Sequence, residues 1–213
     1  MPKQSKRKVT RKFTDEDLYS WYNFNIDKAG RNLYFGPWND SDTGLANEDS
    51  IKEWQVNDFS AQNLIKGLHV LEAEGDDPIT INWFSYGGDW DAGMAIHNFI
   101  LTCRSYITIK CFGRVRSMGT IILQAADQRL LAPNCAFLIH YGEAAFETSH
   151  EKDFERFNEQ LVKDRATMEN IYLERIREKK PRYSKVALEE FMKYDKYMTP
   201  QEAIDMGLAD DLI

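Results

Sequence analysis

Ser117 is the residue whose type and setting most readily suggest chemistry. The stretch Ile107-Thr108-Ile109-Lys110-Cys111-Phe112-Gly113-Arg114-Val115-Arg116-Ser117-Met118-Gly119-Thr120 reads as a β-branched strand, a glycine-containing turn and a helix opening on the serine. At a helix N-terminus, free backbone N–H groups and the helix dipole favour developing negative charge. A serine there is either a nucleophile or simply an N-cap. The first role needs a base and an orienting acid, because an isolated hydroxyl is unreactive. His140 ends the apolar run Ala136-Phe137-Leu138-Ile139 and so emerges at the end of a buried strand. It reads equally well as a base or as a satisfied structural histidine. Gly87-Gly88 lies between a strand, Ile79–Phe84, and a helical stretch through Met94, Ile96 and Ile100. Paired glycines there allow a close backbone approach or make a plain tight turn. The Lys-Ser/Thr ending of a phosphate loop is absent.

The elements that must position these residues alternate in type. Ala61, Leu64, Ile65, Leu68 and Leu71 recur at helical spacing and the pattern stops before Gly75;. Asp127-Gln128-Arg129 reads as a turn before the His140 strand. A long charged helix spans residues 150–180, with Phe154, Phe157, Leu161, Met168, Ile171, Tyr172 and Ile176 as a stripe for core or interface;. Pro181 stops it, and a helical stretch follows over Ser184–Met192. Thr199-Pro200-Gln201-Glu202 is a capping box with proline at the first helical position, and Gly207 ends that last helix;. Strands alternating with helices give an α/β class with a largely parallel sheet. Residues 13–60 offer only a strand at Asn32–Phe35. Their dense aromatics (Trp21, Tyr22, Phe24, Tyr34, Phe35, Trp38) suit packing on a core or a neighbouring subunit;.

Composition bounds the partners. With 213 residues, 43% hydrophobic, the chain can build one sizeable core;. Its net charge of −7 argues against a general nucleic-acid binder;. The charge is uneven: residues 1–12 carry Lys3, Lys6, Arg7, Lys8, Arg11 and Lys12 and no acid, which reads as a basic flexible arm on an acidic body;. No apolar run approaches the ~18 residues of a membrane span, and no signal-peptide core is visible. Cys103, Cys111 and Cys135 lack a paired spacing and read as free thiols in a reducing compartment;. The histidines are scattered without metal-ligand spacing, so neither a metal nor a cofactor is expected.

Several short motifs occur in one order: Leu71-Glu72-Ala73-Glu74 before Pro78, Gly87-Gly88 leading to Ala92-Gly93-Met94-Ala95-Ile96, Ser117-Met118-Gly119, and Pro133-Asn134 ahead of Ile139-His140. Asp195, Glu202-Ala203 and Gly207-Leu208-Ala209-Asp210 complete the series. In this order they resemble ClpP, the proteolytic subunit of the ATP-dependent Clp protease. The likeness is good over about residues 62–213 and slight over 1–60.

The resemblance implies a ClpP/crotonase-type fold of repeated β-β-α units, a single domain over 13–213 with a protruding handle over about 142–180. It also implies Ser117 as nucleophile, His140 as general base and Asp195 as the acid that orients the imidazole. Gly88 and Met118 match the positions whose backbone N–H groups form the oxyanion hole. The implied protein is a cytoplasmic serine endopeptidase of stacked heptameric rings, fed unfolded polypeptide by an AAA+ unfoldase such as a Clp ATPase. Tyr86, Arg116 and Tyr141-Gly142 depart from the family's usual proline, small residue and Gln-Pro. At those places Tyr86 and Arg116 would narrow or charge the substrate cleft. The other readings are a catalytically silent subunit of a mixed ring, a crotonase-like acyl-CoA enzyme, and a processing protease that works without an unfoldase.

Overall fold

The computed structural model describes residues 12–35, 55–142 and 150–213. The chain runs α1 (Asp15–Phe24), β1 (Ile26–Asp27), β2 (Asn32–Phe35), α2 (Asp58–Ala73), β3 (Ile79–Ser85), α3 (Trp90–Thr102), β4 (Ile107–Arg116) and α4 (Met118–Leu123). It continues through β5 (Gln128–Leu131), β6 (Ala136–Ile139), α5 (Glu151–Lys179), α6 (Lys185–Phe191), β7 (Lys196–Met198), α7 (Pro200–Met206) and β8 (Asp211–Leu212). The basic arm, apart from Lys12, together with Trp38 and the first part of the handle at 143–149, lies outside the described residues.

Alternation makes the sheet one-sided. Ile79, Ile81, Trp83 and Ser85 of β3 are buried, while Thr80, Asn82 and Phe84 are only partly so;. The spine of the sheet is β1-β2-β3-β4-β5-β8, parallel from β2 to β8, and a second branch joins β6 to β4 and β7 to β6. Helices α2, α3, α4 and the end of α5 pack in succession over the apolar face. Nearly all the buried side chains there are aliphatic, with Trp83, Phe137 and Tyr172 the largest. Among the described residues no helix is long and apolar enough to cross a membrane.

The fork in the sheet corrects the sequence reading of a turn at Gly113. Instead, β4 runs on through Gly113 to Arg116. A Cβ at Gly113 would lie 2.2 Å from Phe84 Cε2, so only glycine lets β4 press against β3 here. Cys111 pairs with Trp83 but Val115 with Ser85, so β4 carries extra residues at this point and bends;. Up to Cys111 it pairs with β5, and from Arg114 it pairs with β6. The bend therefore aims the last residues of β4, and Ser117 after them, at the strand that carries His140.

Three other expectations change. Gln128 and Arg129 belong to β5 rather than to a turn. Arg129 is buried because its guanidinium is paired with Asp210 and reaches the Gln124 side chain and the Gly207 carbonyl. The α1 helix, unseen in the sequence, starts at a reciprocal Thr14–Asp17 capping box;. It shows no apolar stripe because none of its residues is buried; Tyr19 and Tyr22 are 61% and 64% exposed. Trp21 is gripped between Phe13 and Tyr34 at ring distances of 5.0 and 5.4 Å. The stripe on α5 divides by function. Met168, Tyr172, Leu173 and Ile176 enter the core, whereas Phe154 nearer the start is 52% exposed. The first half of the helix thus stands off the body.

Candidate active site

Register brings the chemistry together. Parallel β4 and β6 pair Arg116 with Leu138, and the Ser117 N–H donates to the Leu138 carbonyl at 2.9 Å. Ser117 and His140 therefore leave the sheet at the same end, one just past β4 and the other just past β6. Antiparallel β6 and β7 pair Ile139 with Lys196, which sets Asp195 opposite His140. Ser117 Oγ lies 2.8 Å from His140 Nε2, and His140 Nδ1 lies 3.0 Å from Asp195 Oδ1. A carboxylate only accepts, so Nδ1 carries the donated proton and Nε2 is left to accept from the serine hydroxyl. The imidazole is 22% exposed and the carboxylate 57%.

Ser117 itself occupies the N-cap position of α4, but its side chain makes no capping bond. Its hydroxyl meets the histidine instead, so the side chain is not a cap for this helix. The backbone is at φ 50°, ψ −128°, outside the regions favoured by residues with a Cβ;. Such a conformation costs about 1–3 kcal/mol and persists only where its surroundings enforce it. The surroundings are visible: the Tyr172 phenol meets the Thr120 hydroxyl at 2.6 Å, and that hydroxyl donates to the Ser117 carbonyl, also at 2.6 Å. With Thr120's one hydrogen used on the carbonyl, Tyr172 is the donor to it. Burial holds the Tyr172 phenol well above its ordinary pKa, which keeps that donor in place;.

The Gly87-Gly88 turn packs directly on the serine. A Cβ on Gly87 would lie 2.6 Å from Ser117 Cβ, and the two glycines sit at φ 102° and 146°. On its other side the turn is strapped by Val56. The Val56 N–H donates to the Gly87 carbonyl at 2.7 Å, and the Asp89 N–H donates to the Val56 carbonyl at 2.8 Å. These bonds bracket Gly88 and fix the plane of its peptide. Met118, at the first turn of α4, has an N–H without an intrahelical acceptor;. Val56, Thr120 and Tyr172 were missed by sequence reasoning. Val56 makes an isolated parallel bridge to Gly88, 32 residues away, and no local pattern marks it.

A cleft of about 990 Å³ opens over Ser117 and His140 and is lined by apolar Trp90, Met118, Ile121, Phe157 and Met168. Neither Tyr86 nor Arg116 lines it, which corrects the expectation that they narrow or charge the cleft. Successive strand residues face opposite ways. Arg116 is thereby turned to the far side of the sheet, its guanidinium 5.8 and 5.7 Å from the Tyr86 and Tyr197 rings, while Arg114 stacks on Tyr86 at 3.9 Å. Tyr141 leaves the strand in the other direction and its phenol donates to Glu169 on α5 at 2.8 Å. Burial, and then the Glu169 carboxylate, push that phenol's pKa upward. Among the described residues no group of three or more His, Cys, Asp or Glu is placed to hold a metal ion. The cysteines are unpaired, Cys111 and Cys135 buried and Cys103 half-buried.

Serine hydrolases of unrelated folds activate a hydroxyl through this same chain of contacts, from serine to histidine to carboxylate. The particular scaffold is identified by relatives. Residues 38–213 match the Clp protease family, a match that starts well before the stretch where the motifs are dense. The ATP-dependent Clp protease proteolytic subunit of Deinococcus radiodurans is 32% identical over 156 residues, which span 72% of this chain and 74% of that protein. This chain belongs to the Clp protease family, as a divergent member, and its α/β fold is the one that family uses.

Proposed function

We propose that this protein is a serine endopeptidase with Ser117 as nucleophile, His140 as general base and Asp195 as the orienting acid. The observation that carries the reading is the 2.8 Å contact of Ser117 Oγ with an imidazole whose other nitrogen is 3.0 Å from a carboxylate. Ser117 Oγ attacks the scissile carbonyl while its proton passes to His140 Nε2. The carbonyl oxygen becomes an oxyanion held by the N–H groups of Gly88 and Met118. Collapse of the tetrahedral adduct expels the amine, which leaves with the proton from Nε2. Water then repeats the sequence on the acyl-enzyme and frees Ser117. Each oxyanion donor is worth roughly 3–4 kcal/mol of barrier, so the strapped glycine turn matters as much as the base.

The wider reading follows the family. The relative's name couples proteolysis to ATP, and this chain has no phosphate loop of its own, so an AAA+ partner would supply unfolded polypeptide. Self-assembly into paired rings, with the stand-off half of α5 as the handle between them, would enclose the cleft. Residues 1–12 would form a basic arm on one domain spanning 13–213, in the cytoplasm. Arg116, the residue that most favoured a silent subunit, points away from the cleft and so no longer argues for that role. A fluorophosphonate probe tests the core of the proposal. Modification mapped to Ser117 by mass spectrometry, and lost in His140→Ala, is the expected result. No modification of correctly assembled protein would overturn it.

A further inference from the structure

The carboxylate partner of His140 is more than half exposed, so it holds the ring only loosely, and the strand pairing that fixes the backbone ends at Ile139. Directly after the histidine comes Tyr141 and then Gly142 at φ 78°. Tyr141 is thus the described residue directly after His140 whose side chain can anchor the histidine's peptide. Its ring packs against the core, and its phenol donates at 2.8 Å to Glu169 Oε1. Glu169 is buried, 8% exposed at its side chain, which is unusual for a carboxylate and demands partners;. Its second oxygen takes Lys185 Nζ at 2.8 Å, at the first turn of α6. The segment that begins with α6 is the one that delivers Asp195. The Arg165 guanidinium, one turn before Glu169, lies 5.7 Å from the Tyr141 ring.

We infer that the Tyr141–Glu169–Lys185 tether, centred on the buried Glu169 carboxylate, is a positioning device for the reaction: it clamps the peptide after His140 and the helix leading to Asp195 onto the same point of α5. This rests on the proposed roles of Ser117 and His140. Tyr141 also lines the cleft, but its phenol is turned to Glu169, so the tether acts through the histidine rather than on the reacting atoms. A buried carboxylate used only for packing would be replaceable without cost to turnover. One that holds the ring in line would show its loss in the rate step.

Tyr141→Phe removes only the phenol oxygen and keeps the ring, so it is the informative variant. Measured on a fluorogenic peptide beside the unmodified protein, it should lower kcat about tenfold and change KM less than about twofold, with melting temperature and assembly size little altered. Glu169→Gln should lower kcat by a similar factor, and the double variant should be no slower than the worse single one. The imidazole of ¹⁵N-histidine-labelled protein gives a readout independent of turnover: the low-field Nδ1–H signal of His140 should broaden or shift in Tyr141→Phe. Unchanged kcat together with an unchanged Nδ1–H signal would overturn the inference. A rate loss that merely tracks a fall in melting temperature would also overturn it, by assigning the tether to stability alone. If the unmodified protein neither turns over peptide nor labels at Ser117, the proposed activity fails, while the Nδ1–H signal still tests the tether.

Discussion

The two sides of the candidate site are built from different materials. On the Ser117 side the contacts are mostly main chain, and Val56, Gly87 and Thr120 are buried. The Ser117 N–H is bonded into β6, its carbonyl is held by Thr120, and the Gly87-Gly88 turn is bracketed by Val56. On the acid side a 57% exposed carboxylate meets the imidazole from the short edge strand β7. Backbone geometry in a close-packed core cannot be adjusted by small shifts. An exposed side chain can be replaced in part by water. Substitutions in the glycine turn and its supports should therefore disturb structure and chemistry together, and those on the second side should alter rate with little structural cost.

The largest effect belongs to Ser117, the proposed nucleophile. Ser117→Ala should reduce peptide hydrolysis by about 10⁶-fold, to the level left by binding and the oxyanion donors alone. Circular dichroism and sedimentation should show an unchanged assembly, because the alanine keeps the Cβ and the hydroxyl makes no capping bond. Residual turnover near the original rate would remove Ser117 from the mechanism.

Gly88→Ala should come next. Its Cβ would fall 2.2 Å from the Val56 carbonyl oxygen, at a φ of 146° that alanine resists. The turn must move, carrying its N–H away from the oxyanion, for a loss of about 10³-fold in kcat, at the upper end for one donor. A lowered melting temperature should accompany it. If activity falls with no change in stability, the nucleophile side is less rigid than its packing implies.

Asp195→Asn sharpens the contrast. A buried orienting acid is worth about 10⁴-fold in a serine protease. Asp195 is exposed, and solvent can stabilise the imidazolium in its stead, so a loss of about 10²-fold with unaltered thermal stability is expected. A full 10⁴-fold loss would mean that the site closes over Asp195 when it works.

The smallest effect on turnover, and a large one on stability, is expected at the far edge of the sheet. Burial pushes the Asp210 carboxyl up, but the hydrogen bonds and charge of Arg129 together outweigh it and hold the pKa below its ordinary value. A depressed folded pKa contributes stability above the unfolded pKa of about 4 and loses it as pH falls through the folded value. Acid unfolding followed by fluorescence should therefore show a component below pH about 4 that vanishes in Asp210→Asn. Arg129→Met should lower the melting temperature by several degrees, since it leaves the Gln124 Oε1 and the Gly207 carbonyl without their donor and the part-exposed Asp210 without its charge partner;. Peptide kcat of either folded variant should be close to unaltered.

Much of this was legible from local pattern. The Thr199–Glu202 capping box, the long helix, the helix start at Ser117 and the strand end at His140 each follow from residues within a turn or two of one another. Ser117 and His140 could be suspected on those grounds. The resemblance then placed Asp195 beside them, in a stretch with no pattern of its own. The α1 helix was hidden because a helix that buries nothing has no apolar period. The fork at Gly113 was misread as a turn because a glycine inside a strand looks the same in sequence whether the chain reverses or merely presses against a neighbour.

By itself the sequence determined the alternation of elements, the ends at which reactive side chains emerge, and the family, because these depend on near neighbours and on motif order. Only the tertiary structure decided that Ser117 is hydrogen-bonded to His140 rather than to its own helix, that Arg116 faces away from the cleft, and that Val56 and Glu169 support residues 32 and 28 positions away. The reason is that strand register and the bend of one sheet set these distances, and both arise from packing between segments that carry no mark of each other.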